Sequence, residues 1–288
     1  MATNGLAPSV TLASVPFHPQ AERDDCGPAA LAMMLGWSGI DTDPATLAPA
    51  VYTPGREGTL QTDIVQAARR AGRLAVPVKS LEDLLRELDA GHPVLVLQNL
   101  GLERWPVWHY AVAMGYDLDS ETLYLHSGRE PRFATDFDDF EASWRSSRRW
   151  ALTVTGPDDL PVTLTQAEGL EAANGLEQAG QNAAAGLAYG ALLGRWPDSL
   201  AALMGFGNAR YAAGDIEAAR KTFRQAVTLH PQAADAWNNL AVSLADEGRL
   251  AAALDAAREA VRLGGPNEAV ARQTLAELEA ATDKLEVR

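Results

Sequence analysis

The sequence predicts an α+β domain followed by an all-α helical solenoid, and three observations carry that expectation. Residues 12–156 mix short apolar runs of strand length with stretches of helical spacing. From about Leu164 the chain becomes rich in alanine and loses its strand patterns. That second part also repeats itself with a period of about 34 residues. Gly156-Pro157-Asp158-Asp159-Leu160-Pro161 punctuates the two, so a linker is expected over 157–163 and the second domain over 164–288.

Taken in order, the first helix is expected at Cys26-Gly27-Pro28-Ala29-Ala30-Leu31. Pro28 fits a first helical turn, where its missing N–H costs nothing. Residues 29–35 are good helix formers, Gly36 can end the run, and Asp24 or Asp25 can cap its start. Helical spacing recurs over 60–71, with Thr59 as the expected cap, and over 80–90; Gly72 and Gly91 follow their ends. Residues 94–98 suit a short buried strand. Residues 109–116 and Thr122–Ser127 read as two strands around the turn at 117–121. A helix over 136–144 and a strand over 150–155 complete the domain.

In the second part the clearest repeat runs from 199 to 232, with Leu203, Phe206-Gly207, Gly214, Ala219, Phe223, Ala226 and Pro231 in phase. The next matches at Trp237, Leu240-Ala241, Gly248, Ala253, Ala260 and Gly264-Gly265-Pro266. A degenerate earlier unit ends at Pro197, with Ala185 and Tyr189 in its small and large positions. Small residues let two antiparallel helices approach while large ones fill the space between. This is the pattern of tetratricopeptide repeats, and residues 268–285 read as the polar-faced cap such an array needs. Asn208, Arg210, Asn238 and Asn239 are expected to be exposed on first helices and are candidates to grip the backbone of a bound peptide, with plain solvated surface as the alternative.

The chemistry starts from the single cysteine, Cys26. An isolated cysteine is usually packing. The flank Glu22-Arg23-Asp24-Asp25, however, is not that of an apolar core position. A helix N-terminus offers unpaired amide hydrogens and partial positive charge, which favour a thiolate. Asp24 and Asp25 would oppose that effect if close in space. Gln20 can aim its amide at a substrate carbonyl oxygen beside the Cys26 N–H, forming an oxyanion hole. His109 can accept the thiol proton and later deliver it to the leaving amine.

The stretch from Val15 to Leu31, with Gln20 and Cys26-Gly27-Pro28, resembles the bacterial double-glycine leader peptidases. These are papain-like cysteine peptidases that mature bacteriocins and related peptides. Gly91-His92-Pro93-Val94 and Trp108-His109-Tyr110-Ala111-Val112 through Gly115-Tyr116 are similar to their later segment. The resemblance spans about residues 12–155. It implies a papain-like fold, with Gln20 as oxyanion glutamine, Cys26 as nucleophile and His109 as general base.

The third catalytic member departs from that pattern. Where the family usually carries an aspartate followed by proline, this chain reads Tyr124-Leu125-His126-Ser127-Gly128. At about 3.3 Å per residue, Asp117 lies roughly 25 Å down the strand from His109 and cannot orient it. Residues 127–129 return beside His109, so Ser127 is the expected orienting group, with His126 second and Asn99 a further candidate. A neutral partner stabilises an imidazolium less than a carboxylate does, so weak activity is expected. His18, His92 and His230 read as turn or surface histidines, and no cluster has metal-ligand spacing. No cofactor is expected.

The chain has 288 residues, 47% of them hydrophobic, and a net charge of −14. That charge argues against nucleic acid or an anionic membrane as partner and would suit a basic peptide. One cysteine excludes an internal disulfide. No apolar run is long enough to span a membrane, and the start lacks the features of a signal peptide. The compartment is open, although the resemblance implies an exported bacterial protein whose signal has been removed. The expected function is a cysteine peptidase cutting a peptide or protein that the repeats recruit, with another protein as a further partner on their concave face. The alternative is an interaction protein that binds a peptide without cutting it, and a thiol acyltransferase or amidase is a minor third.

Overall fold

A computed structural model describes residues 5–20, 25–53 and 58–286. The chain divides into two compact units, 1–184 and 185–288. The elements of the first unit are β1 (Ser9–Thr11), α1 (Cys26–Trp37), α2 (Pro44–Val51), β2 (Tyr52–Thr53), β3 (Gly58–Thr59), α3 (Gln61–Arg70), β4 (Leu74–Pro77) and α4 (Leu81–Asp89). There follow β5 (Val94–Asn99), β6 (Trp108–Asp117), β7 (Thr122–Ser127), β8 (Glu130–Asp136), α5 (Phe137–Arg145), β9 (Ala151–Thr155) and α6 (Gln166–Gln178).

One antiparallel sheet runs β4-β9-β5-β6-β7-β8, and β1 adds to the far end of β6 by pairing Val10 with Tyr116. Strand β6 is buried from Tyr110 to Tyr116 because both faces of the sheet are covered. Tyr110, Val112 and Met114 pack with α1 on one face; Ala111 and Ala113 pack with α4 and α5 on the other. A register shift between Ala113 and Gly115 then reverses the alternation, so that Tyr116 joins the second cluster. Helix α1 is apolar all round and buried from Cys26 to Leu35, as a helix clamped inside a core must be.

The predicted helices and strands appear with small changes at their ends. Others were missed: β1, β4, β8, α2 and the β2–β3 pair. Six of the seven residues of β8 are exposed, so it shows no apolar alternation to read. Thr59 does not cap α3; Leu60 occupies the cap position, without a side-chain cap bond. Asp25 likewise stands at the cap of α1 without a side-chain cap bond, and Asp24 lies outside the described residues. By contrast Ser80 accepts from Asp83 N at 3.0 Å and Asp136 from Asp139 N at 2.8 Å.

The expected linker is tied down. Glu87, fully buried on α4, accepts hydrogen bonds from Thr163 N at 2.7 Å, Thr163 Oγ1 at 2.6 Å and Val162 N at 3.3 Å. His92 Nδ1 lies 2.7 Å from the same carboxylate, and Asp159 lies 3.3 Å from His92 Nε2. His92 is therefore a core residue, not a turn or surface one. Helix α6, held by a Thr165–Glu168 capping box and a Lys79–Glu168 ion pair, belongs with the first unit. The compact unit thus runs 20 residues past the composition change at 164, because α6 packs on β4 and α3.

The second unit contains α8 (Leu200–Ala212), α9 (Ile216–Leu229), α10 (Ala234–Asp246), α11 (Leu250–Leu263) and α12 (Glu268–Glu286); α7 (Asn182–Arg195) spans the division. This is the expected all-α array of repeats. Leu203, Phe223, Leu240 and Leu244 form its core with a ladder of alanines. Gly207 of α8 sits against the buried Phe223 ring so closely that a Cβ would overlap it. Among the described residues no helix is long and apolar enough to cross a membrane.

Two predictions follow from this packing. Gly207→Ala should destabilise the repeat unit by about 1–3 kcal/mol, since the buried ring has nowhere to move; urea denaturation measures this. The second concerns pH. Burial pushes the Glu87 carboxyl up, but hydrogen bonds from His92 and Thr163 outweigh it and hold it below the ordinary 4.5. Burial pushes His92 down, but Glu87 and Asp159 outweigh it and hold it above the ordinary 6.5. The pair is therefore at full strength between these two ordinary values. Its contribution is lost as pH rises through the raised His92 value, and as pH falls through the lowered Glu87 value. His92→Asn should cost about 2 kcal/mol near the middle of that window, and the difference from wild type should shrink in alkali.

Candidate active site

Cys26 is the first residue of α1 and is 8% exposed. It thus stands where the first-turn amide hydrogens of a helix are unpaired. The end of α1 is fixed by β3, because Thr59 occupies the space a side chain at Gly27 would need. Only glycine can follow Cys26 in this arrangement. Thr59 Oγ1 is buried without a hydrogen-bond partner, while its carbonyl accepts from Tyr110 Oη at 3.2 Å.

A cavity of about 760 Å³ opens in front of Cys26, lined among others by Thr59, Trp108, Tyr110 and Arg148. Burial, and then the nearby Cys26 and Asp63, push the Tyr110 phenol up, so it stays protonated and can act only as a neutral group at neutral pH. Trp108 and Tyr110 flank His109 in β6 and line this cavity; His109 does not. The β5–β6 loop at its rim is closed by Asn99, whose Oδ1 accepts from Gly101 N at 3.0 Å and Val107 N at 2.8 Å.

His109 Nε2 lies 2.9 Å from Ser127 Oγ. The strand register brings these two together as the sequence predicts. Burial pushes the imidazole below its ordinary 6.5, and no carboxylate opposes that. With Nε2 engaged by Ser127, Nδ1 is the nitrogen left to face away from that hydroxyl. The other candidates for orienting His109 are occupied elsewhere. Asn99 closes its loop. His126 Nε2 lies 3.2 Å from the Val15 carbonyl, with its ring against Phe17. Asp117 accepts from Ser120 in the hairpin turn.

Gln20 is tied to the same end of the sheet. Its N–H donates to the Gly128 carbonyl at 3.0 Å and its carbonyl accepts from Arg129 Nε at 3.3 Å. Its side-chain amide has no hydrogen-bond partner among the described residues. Gln20 therefore joins the turn next to Ser127 and His109, and Cys26 faces the cavity beside their strand. Sequence reading missed Tyr110, Thr59 and Arg148. Tyr110 is legible afterwards as an alternate position of β6. The other two carry no local signal, because distant segments deliver them.

In the repeat unit only Asn208 of the four candidates is exposed. Asn239 Nδ2 donates to Asn208 Oδ1 at 2.9 Å, and Asn238 Nδ2 lies 3.4 Å from Asn239 Oδ1. Asn238 Oδ1 is buried and unpartnered. Arg210 is half-buried with its guanidinium 4.8 Å above the Phe206 ring. The expectation of four exposed groups is corrected: helical packing draws three of them partly inside. Among the described residues no group of side chains could hold a metal ion.

Residues 12–152 match the Peptidase_C39 like family, and residues 204–268 match the tetratricopeptide repeat. Among solved structures, a C39-like peptidase from Bacillus anthracis is 22% identical, covering 52% of this chain and 98% of its own, with a TM-score of 0.46. The peptidase domain of Streptococcus ComA, a bifunctional ABC transporter in a quorum-sensing pathway, is 24% identical over 49% of this chain and 98% of its own, with a TM-score of 0.41. The Yersinia enterocolitica type III secretion translocator chaperone SycD is 22% identical over 42% of this chain and 86% of its own, at 0.40. No protein of curated function matches the chain.

The lowered His109 value sets a prediction. Ser127→Asp should raise it above 6.5, because a carboxylate stabilises the imidazolium where a hydroxyl does not. Ring-proton NMR titration of the two proteins measures this; no upward shift would mean that residue 127 does not set the charge state of His109.

Proposed function

We propose that this chain, a C39-peptidase-like domain joined to tetratricopeptide repeats, is a cysteine peptidase whose repeats recruit its peptide or protein substrate. The observation that carries the reading is Cys26 at the head of a buried helix, facing a cavity flanked by the strand that holds His109. The His109–Ser127 hydrogen bond supports it. So does the family match over 12–152.

In this reading His109 Nδ1 takes the Cys26 proton, and the thiolate attacks the scissile carbonyl carbon. The Cys26 N–H and the Gln20 amide stabilise the oxyanion, worth roughly 10²–10³ in rate per donor. Collapse breaks the C–N bond, and His109 returns the proton to the leaving amine. Water, deprotonated by His109, then hydrolyses the thioester and frees the thiol. In the substrate complex ring and thiol come within hydrogen-bond reach, where catalytic hydrogen bonds commonly tighten. Ser127 orients the ring without supplying charge, which makes slow turnover the expectation. A Gly-Gly preference rests on the resemblance alone.

A non-cleaving peptide binder is the second reading. It is favoured by a hydroxyl, Ser127, on His109 where a carboxylate is usual. Mass spectrometry of candidate peptides incubated with wild type and with Cys26→Ala separates the two. Wild-type products missing from the variant establish the peptidase. Peptides bound equally by both and cut by neither establish the binder. Iodoacetamide should alkylate Cys26 well below the ordinary thiol pKa of about 8.5, and His109→Ala should move that reactivity to higher pH.

The Asn208–Asn239 pair lies on the first helices of adjacent repeats and supports recruitment there. Asn208→Ala with Asn239→Ala should raise KM severalfold with kcat unchanged, because the pair touches binding and not chemistry.

A further inference from the structure

The described lining of the cavity in front of Cys26 departs in charge from the chain around it. The protein carries 38 Asp and Glu against 24 Lys and Arg. Yet among the described residues lining the cavity there is no carboxylate, and the single charged side chain is Arg148. Arg148 is exposed, and among the described residues its guanidinium has no hydrogen-bond or ion-pair partner. The other described lining residues are neutral, among them Thr59, Trp108, Tyr110, Ser146 and Ser147.

The backbone at Arg148 is also held in a conformation that arginine disfavours. Arg148 and Arg149 have φ of 59° and 55°, two adjacent non-glycine residues in the left-handed region. Such strain persists only where the surroundings over-determine it. Here they do. Trp144 Nε1 donates to the Trp150 carbonyl at 2.9 Å, Ser147 Oγ donates to the Trp144 carbonyl at 2.8 Å, and Trp150 N donates to Ser147 Oγ at 3.2 Å. Arg149 is fixed to Glu141 at 3.0 Å. The turn is a rigid clasp that holds an unpaired guanidinium at the cavity wall, where glycine would have been the relaxed choice.

We propose that Arg148 is a specificity-determining residue that receives a carboxylate of the substrate, so that the preferred peptide bears an acidic group close to the reacting carbon. This rests on the peptidase reading of the cavity and names its substrate class. It reverses the expectation of a basic peptide drawn from net charge, because a guanidinium on the cavity wall meets the substrate directly, whereas Asp63, which acts on Tyr110, is not in the described lining. A guanidinium can hold a carboxylate through two parallel N–H···O bonds. The carboxylate has two sources, an Asp or Glu side chain or the C-terminus of a peptide.

The test measures alkylation of Cys26 by peptidyl Michael acceptors, with each rate divided by the iodoacetamide rate of the same protein. One set varies a single position at a time among Glu, Gln, Lys and Gly. A second set ends in a free carboxylate or its amide. In wild type, Glu should outpace Gln about tenfold at one position if the source is a side chain, or the free acid should outpace the amide if it is a terminus. Arg148→Glu should invert the order of Glu and Lys probes. Arg148→Gly, which relaxes the backbone while removing the cation, should abolish the preference. Retention of the wild-type ranking in Arg148→Glu and Arg148→Gly would overturn the proposal, as would a wild type indifferent to carboxylates.

If Cys26 resists iodoacetamide in the wild type, the peptidase reading fails separately. The same peptides carrying a fluorophore and no electrophile then decide by anisotropy. Tighter binding of the acidic peptide that is lost in Arg148→Glu upholds the carboxylate site, and equal binding by both proteins rejects it.

Discussion

The arrangement at the candidate site depends on one constraint, the register of β6. The strand is buried on both faces, so a slip of one residue would exchange two cores at once. That cost fixes which side chains face α1 and Cys26, and which face α4 and α5. It also fixes where β7 must lie to bring Ser127 within 2.9 Å of His109. The bulge between Ala113 and Gly115 lets the far half of β6 serve different neighbours, with Tyr116 turned to donate to Asp89 at 2.8 Å, without disturbing the half that carries His109.

What could be read from the sequence was what short-range rules determine. Pro28 in a first turn, followed by a run of alanine, methionine and leucine, located the head of α1 and with it Cys26. Counting residues around the hairpin was enough to pair His109 with Ser127, because a β-ladder converts sequence distance into spatial distance. The repeats were legible for the same reason, since each small residue meets a large one at a fixed offset, as Gly207 meets Phe223.

What could not be read came from segments that meet only in the fold. Thr59 looked like a helix cap because a threonine precedes the helical spacing of α3. In the structure it is held instead by β3 against Gly27, and its hydroxyl is left without a partner. His92 looked like a turn residue beside Gly91 and Pro93. Only the approach of Asp159 and the burial of Glu87 make it a core residue held between two carboxylates. Arg148 carried no signal, because neither its left-handed backbone nor the cavity it faces has a counterpart in the local sequence.

The burial of Glu87 bears on how such a chain can be assembled from parts. A recombination joint placed at the glycine and prolines of 156–161 would look harmless by composition. It would leave behind a carboxylate with no solvent and without the three donors that Val162 and Thr163 provide. A buried charge left with His92 alone, after losing those three donors, is destabilised by an amount that matters to a marginally stable domain. The inheritable module is therefore the sheet domain together with the strap that follows it. Any exchange of repeat arrays over evolutionary time would be tolerated only downstream of Thr163, a boundary set by solvation and invisible to composition.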